Sequence, residues 1–355
     1  MKEITKTYPY DIELPDILRD RHFLFLDIET TGLSSSNSRL YLIGFMYKEG
    51  GQWLFTQLFA ETPYEERAVL LRAAAFASRF DLLVHFNGCQ FDLPYLHGRC
   101  LENGIDDGFM TTESLDLYLE LRGCKKLLGL PNCRLKTMEA YLGIGREDEY
   151  DGGRLINVYF DYVRLHDEEN LKLLLLHNEE DVAGMPLMLP LLGYSLMMSG
   201  RGIDHDTPPS FSVTEEVMET AMPLSVSLPK PVSFGILNFR VEAHGRQLSM
   251  LLPIHRGELL YYYPDYKNYY YLPDEGIAVH KSVAAYVDKN HREPAKARNC
   301  YTKKTGVFVP VPVNAPGHLF RKSWGGQTYH EIDDELKNDA GFWRQYAVDV
   351  FRLLR

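Results

Sequence analysis

Two carboxylates one residue apart, Asp27 and Glu29, close the run F-L-F-L-D-I-E that starts at Phe23. In an extended chain, residues two apart share a face, so both acids point the same way. Side by side they repel unless a positive charge lies between them, and a divalent cation is the natural occupant. An isolated D-x-E is ordinarily a solvated strand face. Here it follows an apolar run and precedes Thr30-Thr31-Gly32-Leu33, and burying unpaired charge is costly, which favours a metal.

Two further clusters carry the same chemistry. In His85-Phe86-Asn87-Gly88-Cys89-Gln90-Phe91-Asp92, the Asn-Gly pair marks a turn and Asp92 falls where a helix begins, a place where aspartate is also an ordinary cap. In His177-Asn178-Glu179-Glu180-Asp181-Val182, a spacing of four puts His177 and Asp181 on one helical face, an arrangement more often found as a surface pair. Hard oxygen ligands select Mg²⁺ or Mn²⁺ over zinc.

Taken in order, F-L-D-I-E-T-T-G, N-G-x-x-F-D and H-N-x-x-D-V resemble the three exonuclease motifs of the DEDD superfamily. The closest likeness is to its YprB-type ribonuclease-H-like branch, over roughly residues 20–195, including Asp116-Leu117-Tyr118 and the stretch from Arg134 to Glu139. The resemblance implies that Asp27 bridges two Mg²⁺ or Mn²⁺ ions, that Glu29 and Asp181 complete the site of the ion activating water, and that Asp92 holds the second. It implies His177 as general base. One departure stands out: the superfamily divides by a His five residues before the last Asp or a Tyr four before it, and here a His occupies the four-residue position. Helical geometry still turns it to the metal side, and imidazole takes a proton near neutral pH. Two ions about 3.5–4 Å apart suit phosphodiester hydrolysis, which needs a strong nucleophile and a stabilised leaving oxygen. Weaker candidates are Asn87 and Phe91 beside a terminal nucleotide, and Arg134 and Lys136 on a phosphate or on a solvated helix face. Asp116 is read as a supporting acid or, more simply, as a turn or helix-end residue.

The elements that must position these groups are legible in outline. Phe23–Asp27, Leu40–Tyr47 and Gln52–Phe59 read as three strands of an antiparallel meander, with Glu49-Gly50-Gly51 as a turn. A helix over 63–78, a strand over 81–86 and helices near 93–103, 135–142 and 168–192 follow. Hairpins followed by strand–helix alternation predict an α/β ribonuclease-H-like mixed sheet flanked by helices, over 1–200. Pro208-Pro209, Pro223, Pro229 and Pro231 read as a linker. Residues 201–355 then read as a smaller β-rich (α+β) domain, with strands at 233–241, 247–253 and 258–263 and a helix at 279–289.

Composition bounds the rest. The net charge of −11 is uneven: residues 1–200 hold 19 Lys/Arg against 31 Asp/Glu, and residues 201–355 hold 19 against 18. That argues against a coat for duplex DNA, whose affinity comes from cations on phosphates, but not against an enzyme that meets phosphates through metal. Five cysteines without zinc-ligand spacing fit free thiols in a reducing cytoplasm. Neither a signal peptide nor a run of about 18 apolar residues is read, so the expected location is cytoplasmic, with no membrane partner. Beyond residue 260, seven tyrosines from Tyr261 to Tyr271 lie near Lys281, Lys289, His291, Arg292, Lys296, Arg298, Lys303 and Lys304. They suit either a sheet core with its cover or the tracking of a single strand. The expected activity is a 3′→5′ exonuclease on single-stranded or frayed DNA or RNA. A structure-directed endonuclease or a non-catalytic nucleic-acid-binding module are the alternatives.

Overall fold

In a computed structural model, which describes residues 1–148, 150, 152–313 and 318–354, the apolar run ending at Asp27 lies inside a six-stranded mixed sheet. Its strands are β1 Lys2–Tyr8, β2 Phe23–Thr30, β3 Leu40–Glu49, β4 Gln52–Phe59, β5 Leu82–His85 and β6 Glu113–Asp116, in the order β1-β4-β3-β2-β5-β6. β1, β4, β3 and β2 run antiparallel, while β5 joins β2 and β6 joins β5 in parallel. The helices are α1 Glu66–Ala77, α2 Asp92–Glu102, α3 Leu117–Leu121, α4 Leu135–Leu142, α5 Gly152–Leu165 and α6 Glu168–Met188. The expected ribonuclease-H-like mixed sheet flanked by helices is the architecture of this region. The meander is present, and the turn between β3 and β4 uses Gly50 and Gly51, both at positive φ as a tight hairpin requires.

Burial explains the central strands. β2 and β5 are covered on both faces, as near-continuous apolar runs demand, and a single core joins them to α1, α2 and α5. β1, β6, α3 and α5 lie outside the elements that the sequence pattern predicts. β1 is an edge strand of mostly exposed residues and β6 spans four residues, so neither carries a strong apolar pattern. α6 begins at an Asp167 cap, whose side chain accepts the Glu169 N–H, and packs on β2, β3 and β4. The stretch Glu168–Met198 is long and apolar enough to cross a membrane, yet 72% of its most apolar window is buried in the protein, which marks it as a core element.

The chain separates into two units, Met1–Ser195 and Leu196–Arg355. The second holds β7 Ser210–Val213, β8 Val217–Ile236, β9 Phe239–Pro253, β10 His255–Tyr262, β11 Tyr269–Leu272, β12 Ile277–His280, β13 Glu293–Pro294, β14 Tyr301–Pro310, β15 Phe320–Arg321 and β16 Thr328–Glu331. β7-β8-β9 form one sheet, β12-β11-β13 another, and β10-β14-β16-β15 close a barrel. The proline-rich stretch expected to be a linker is instead much of β8. Its register against β9 slips between Pro223 and Leu228 and again between Leu228 and Val232, because proline has no N–H to give the ladder. The strand expected at 233–241 is a hairpin whose turn holds Leu237 at φ 52°, and the helix expected at 279–289 shrinks to Lys281–Ala284.

Candidate active site

Alternation along β2 sends Asp27 and Glu29 to one face, with Ile28 turned into the core on the other. Asp92 is the first residue of α2 and not its cap: Phe91 holds the cap position without a side-chain bond. The Asp92 carboxylate reaches across to β2, where Oδ1 accepts the Ile28 N–H at 3.3 Å. Three buried or half-buried acids thus meet around one peptide of β2.

From the other side comes α6. Asn178, fully buried, donates from Nδ2 to the Asp27 carbonyl at 3.2 Å and to Asp27 Oδ2 at 3.1 Å, while its Oδ1 accepts from Gln57 at 3.0 Å. This approach depends on Gly44, the β3 partner of Asp27, since a Cβ there would lie 2.3 Å from Asn178 Oδ1. One turn of α6 carries His177 and Asp181 to the carboxylates: His177 Nε2 lies 3.4 Å from Glu29 Oε1 and 3.7 Å from Asp181 Oδ2. The imidazole is on the carboxylate side of the helix.

Asp148, which no sequence spacing singles out, stands behind that imidazole. His177 Nδ1 is 2.6 Å from Asp148 Oδ2, and an ionised carboxylate only accepts, so Nδ1 carries the proton and Nε2 faces the acids. Burial opposes the charge on Asp148, but Lys136, the Tyr150 N–H and His177 outweigh it and hold the carboxyl below its ordinary range. Lys136 Nζ is taken up by Asp148 Oδ2 at 2.9 Å and the Tyr150 carbonyl at 2.8 Å, which places it behind His177. Arg146 is also new: its guanidinium binds Glu139 at 2.9 Å, Glu180 at 3.3 Å and, closely, Asp181. Asp148 and Arg146 lie in an irregular loop at no diagnostic spacing, whereas Asn178 stood beside His177 in the third motif.

The remaining candidates fall around the Asp92 loop. Asn87 has a positive φ of 65°, a conformation asparagine tolerates, and its N–H donates to Asp116 Oδ1 at 2.8 Å. Asp116 also accepts from Cys89 N and caps α3 through the Tyr118 and Leu119 N–H groups, so it fastens this loop to a helix end. Phe91 packs on Tyr95 with ring centroids 5.5 Å apart. Arg134, at the start of α4, is exposed.

Residues 24–192 match the RNase H superfamily, through its RNase_H_2 family. No curated protein matches the chain in sequence. Among solved structures, a zinc-bound E. coli exonuclease I–ssDNA complex is similar at 17% identity and TM-score 0.34, over 62% of this chain and 54% of that one. The family B DNA polymerase of Pyrobaculum calidifontis is similar at 11% identity and TM-score 0.40, over 95% of this chain and 46% of that one. The chain thus spans about half the length of these two proteins.

Within the RNase H-like region, electrostatics make the acid cluster a receptor for cations. Burial, then Asp92, Asp181 and Glu29, push the Asp27 carboxyl well above its ordinary value; burial, then Asp181, Asp92 and Asp148, do the same to Glu29. Burial raises Asp92 to about 7 against the pull of backbone N–H groups, with Asp116 and Asp181 adding repulsion. Glu29, His177 and Asp181 present ligand atoms within 4.8 Å of one another. Anionic oxygens forced together out of water fit divalent cations.

A stability profile follows from these directions. Asp92, raised in the fold, keeps a proton that the unfolded chain releases, so without metal its stabilisation is full below about pH 4 and is lost as pH rises through about 7. In EDTA, the melting temperature of the wild type is expected to fall across this window. Saturating Mg²⁺ or Mn²⁺ at pH 7.5 should raise it by roughly 5–10 °C, the effect of a ligand at about a hundred times its Kd. Melting curves unmoved by metal would count against cation binding here.

Proposed function

We propose that the RNase H-like region is a two-metal-ion 3′→5′ exonuclease acting on single-stranded or frayed nucleic acid. The observation that carries this reading is the convergence of Asp27, Glu29, Asp92 and Asp181 with His177 Nε2 turned toward them. The four carboxylates would hold the cations, Mg²⁺ or Mn²⁺ by their all-oxygen donors. When bound, such ions supply Lewis acidity, neutralising charge on the phosphate and the leaving oxygen.

The chain's own groups do the rest. His177 Nε2 takes the proton of the attacking water, and the Nδ1–H bond to Asp148 stabilises the resulting imidazolium and fixes the ring. Asn178 holds Asp27 in one orientation, and the N–H of Ile28 does so for Asp92. Direction and choice of strand end rest on the motif resemblance.

End-labelled single-stranded DNA and RNA should shorten stepwise from the 3′ end in Mg²⁺ or Mn²⁺ and stay intact in EDTA, while a closed circular strand stays uncut. Cutting of the circle would replace the exonuclease with an endonuclease on the same site. Failure to cleave either polymer, with binding intact, would move the reading to a non-catalytic binding module.

A further inference from the structure

The tyrosines of the second unit divide by strand alternation. Tyr261 turns into the barrel, packed on the core of Leu259, Phe308 and Phe320, and so its neighbour Tyr262 lies on the outside. There Tyr262 pairs across the ladder with Tyr301, their ring centroids 5.3 Å apart. Trp324 extends the row at 5.1 Å from Tyr262, and Tyr271 of the neighbouring sheet, packed on Ala278, Ala295 and Cys300, bounds it at 6.0 Å from Tyr301. Trp324 is 53% exposed, an unusual state for a large apolar ring at the end of an aromatic row.

Two cations flank the row. Lys303 and Arg321 both sit opposite Leu260, two residues from Tyr262, and alternation puts them on the same outer face. Among the described residues neither has a salt-bridge partner. Lys304, the next residue, is different: it pairs with Glu331 at 2.5 Å. Of the basic cluster Lys296, Arg298, Lys303 and Lys304, Lys303 is thus the member that alternation sets beside the row.

An exposed tryptophan and half-buried tyrosines beside cations without a salt-bridge partner complement a ligand with flat faces and regularly spaced negative charge. We propose that this outer face of the barrel, Trp324–Tyr262–Tyr301 with Lys303 and Arg321, binds single-stranded nucleic acid by base stacking and phosphate contact. A duplex keeps its bases stacked on one another and offers such rings nothing to cover. The choice of occupant rests on the nuclease reading; the face itself does not.

The chain carries its own reporter. Of its three tryptophans, Trp53 and Trp343 are buried at 1% and 0% exposure, so quenching by a ligand reads Trp324. The full chain in EDTA, titrated with an oligothymidylate longer than about 16 nucleotides, should show quenched tryptophan fluorescence. By anisotropy of a labelled oligonucleotide, Trp324→Ala should bind about tenfold more weakly and Trp324→Phe close to wild type. Lys303→Ala/Arg321→Ala should weaken binding and reduce the slope of log affinity against log salt by about 1.4, two phosphate contacts on a single strand. Absence of quenching, or affinity and salt slope unchanged in these variants with melting temperatures preserved, overturns the proposal. Quenching without cleavage under any metal condition would sink the nuclease reading and leave this surface standing; cleavage without quenching would do the reverse.

Discussion

Asp27→Asn is expected to lower metal-dependent cleavage by more than about 10³-fold while raising the melting temperature of the metal-free protein by a few degrees. Both effects have one cause. Asp27 is crowded by other carboxylates, pushed up by burial and then by Asp92, Asp181 and Glu29. Asparagine keeps the shape and an oxygen for the Asn178 Nδ2–H, yet removes a charge that only a cation would balance. Losing several kcal/mol of charge stabilisation in the transition state corresponds to that fall in rate. A carboxylate placed for structure would behave oppositely, since losing it would destabilise the fold. Rates with end-labelled substrate and melting curves in EDTA, taken on one preparation, distinguish the two: a variant less stable than wild type but still active would remove Asp27 from the site.

Asp148→Asn should lower kcat by about 10²–10⁴-fold with a much smaller change in KM. The carboxylate accepts the Nδ1 proton of His177 and leaves Nε2 free toward Glu29 and Asp181. An asparagine amide can donate to Nδ1 and so select the opposite tautomer, with the proton on Nε2, where it cannot serve as a base. His177→Ala should lose about as much, and the double variant little more, because the two residues act as one unit. Lys136 supports the same carboxylate at 2.9 Å, so Lys136→Ala should show a weaker version of this phenotype. If Asp148→Asn shifted KM alone, or if its loss added fully to that of His177→Ala, the dyad would not be the base.

How much of this was legible in advance depended on whether a feature is local. Asp27 and Glu29 could be paired because strand alternation acts over two residues, and His177 and Asp181 because a helical turn acts over four. The buried strands β2 and β5 showed themselves as unbroken apolar runs. β1, with four of its seven residues exposed, carried no such signal, and its place beside β4 is decided by pairing more than forty residues away. The prolines of β8 misled for a related reason: they disfavour a ladder locally, and the long partner β9 accommodates them by slipping register.

The acids, their spacing and the turn at Asn87-Gly88 belong to the chain itself, because rotation and alternation of the backbone depend on near neighbours alone. Everything that makes those acids one site depends on packing. Asn178 reaches Asp27 because β3 offers Gly44 beneath α6; Asp148, 29 residues before His177, meets it because the loop preceding α5 folds back onto α6. The raised carboxyls are likewise a product of the assembled fold, since desolvation and mutual repulsion exist only once β2, α2 and α6 have come together.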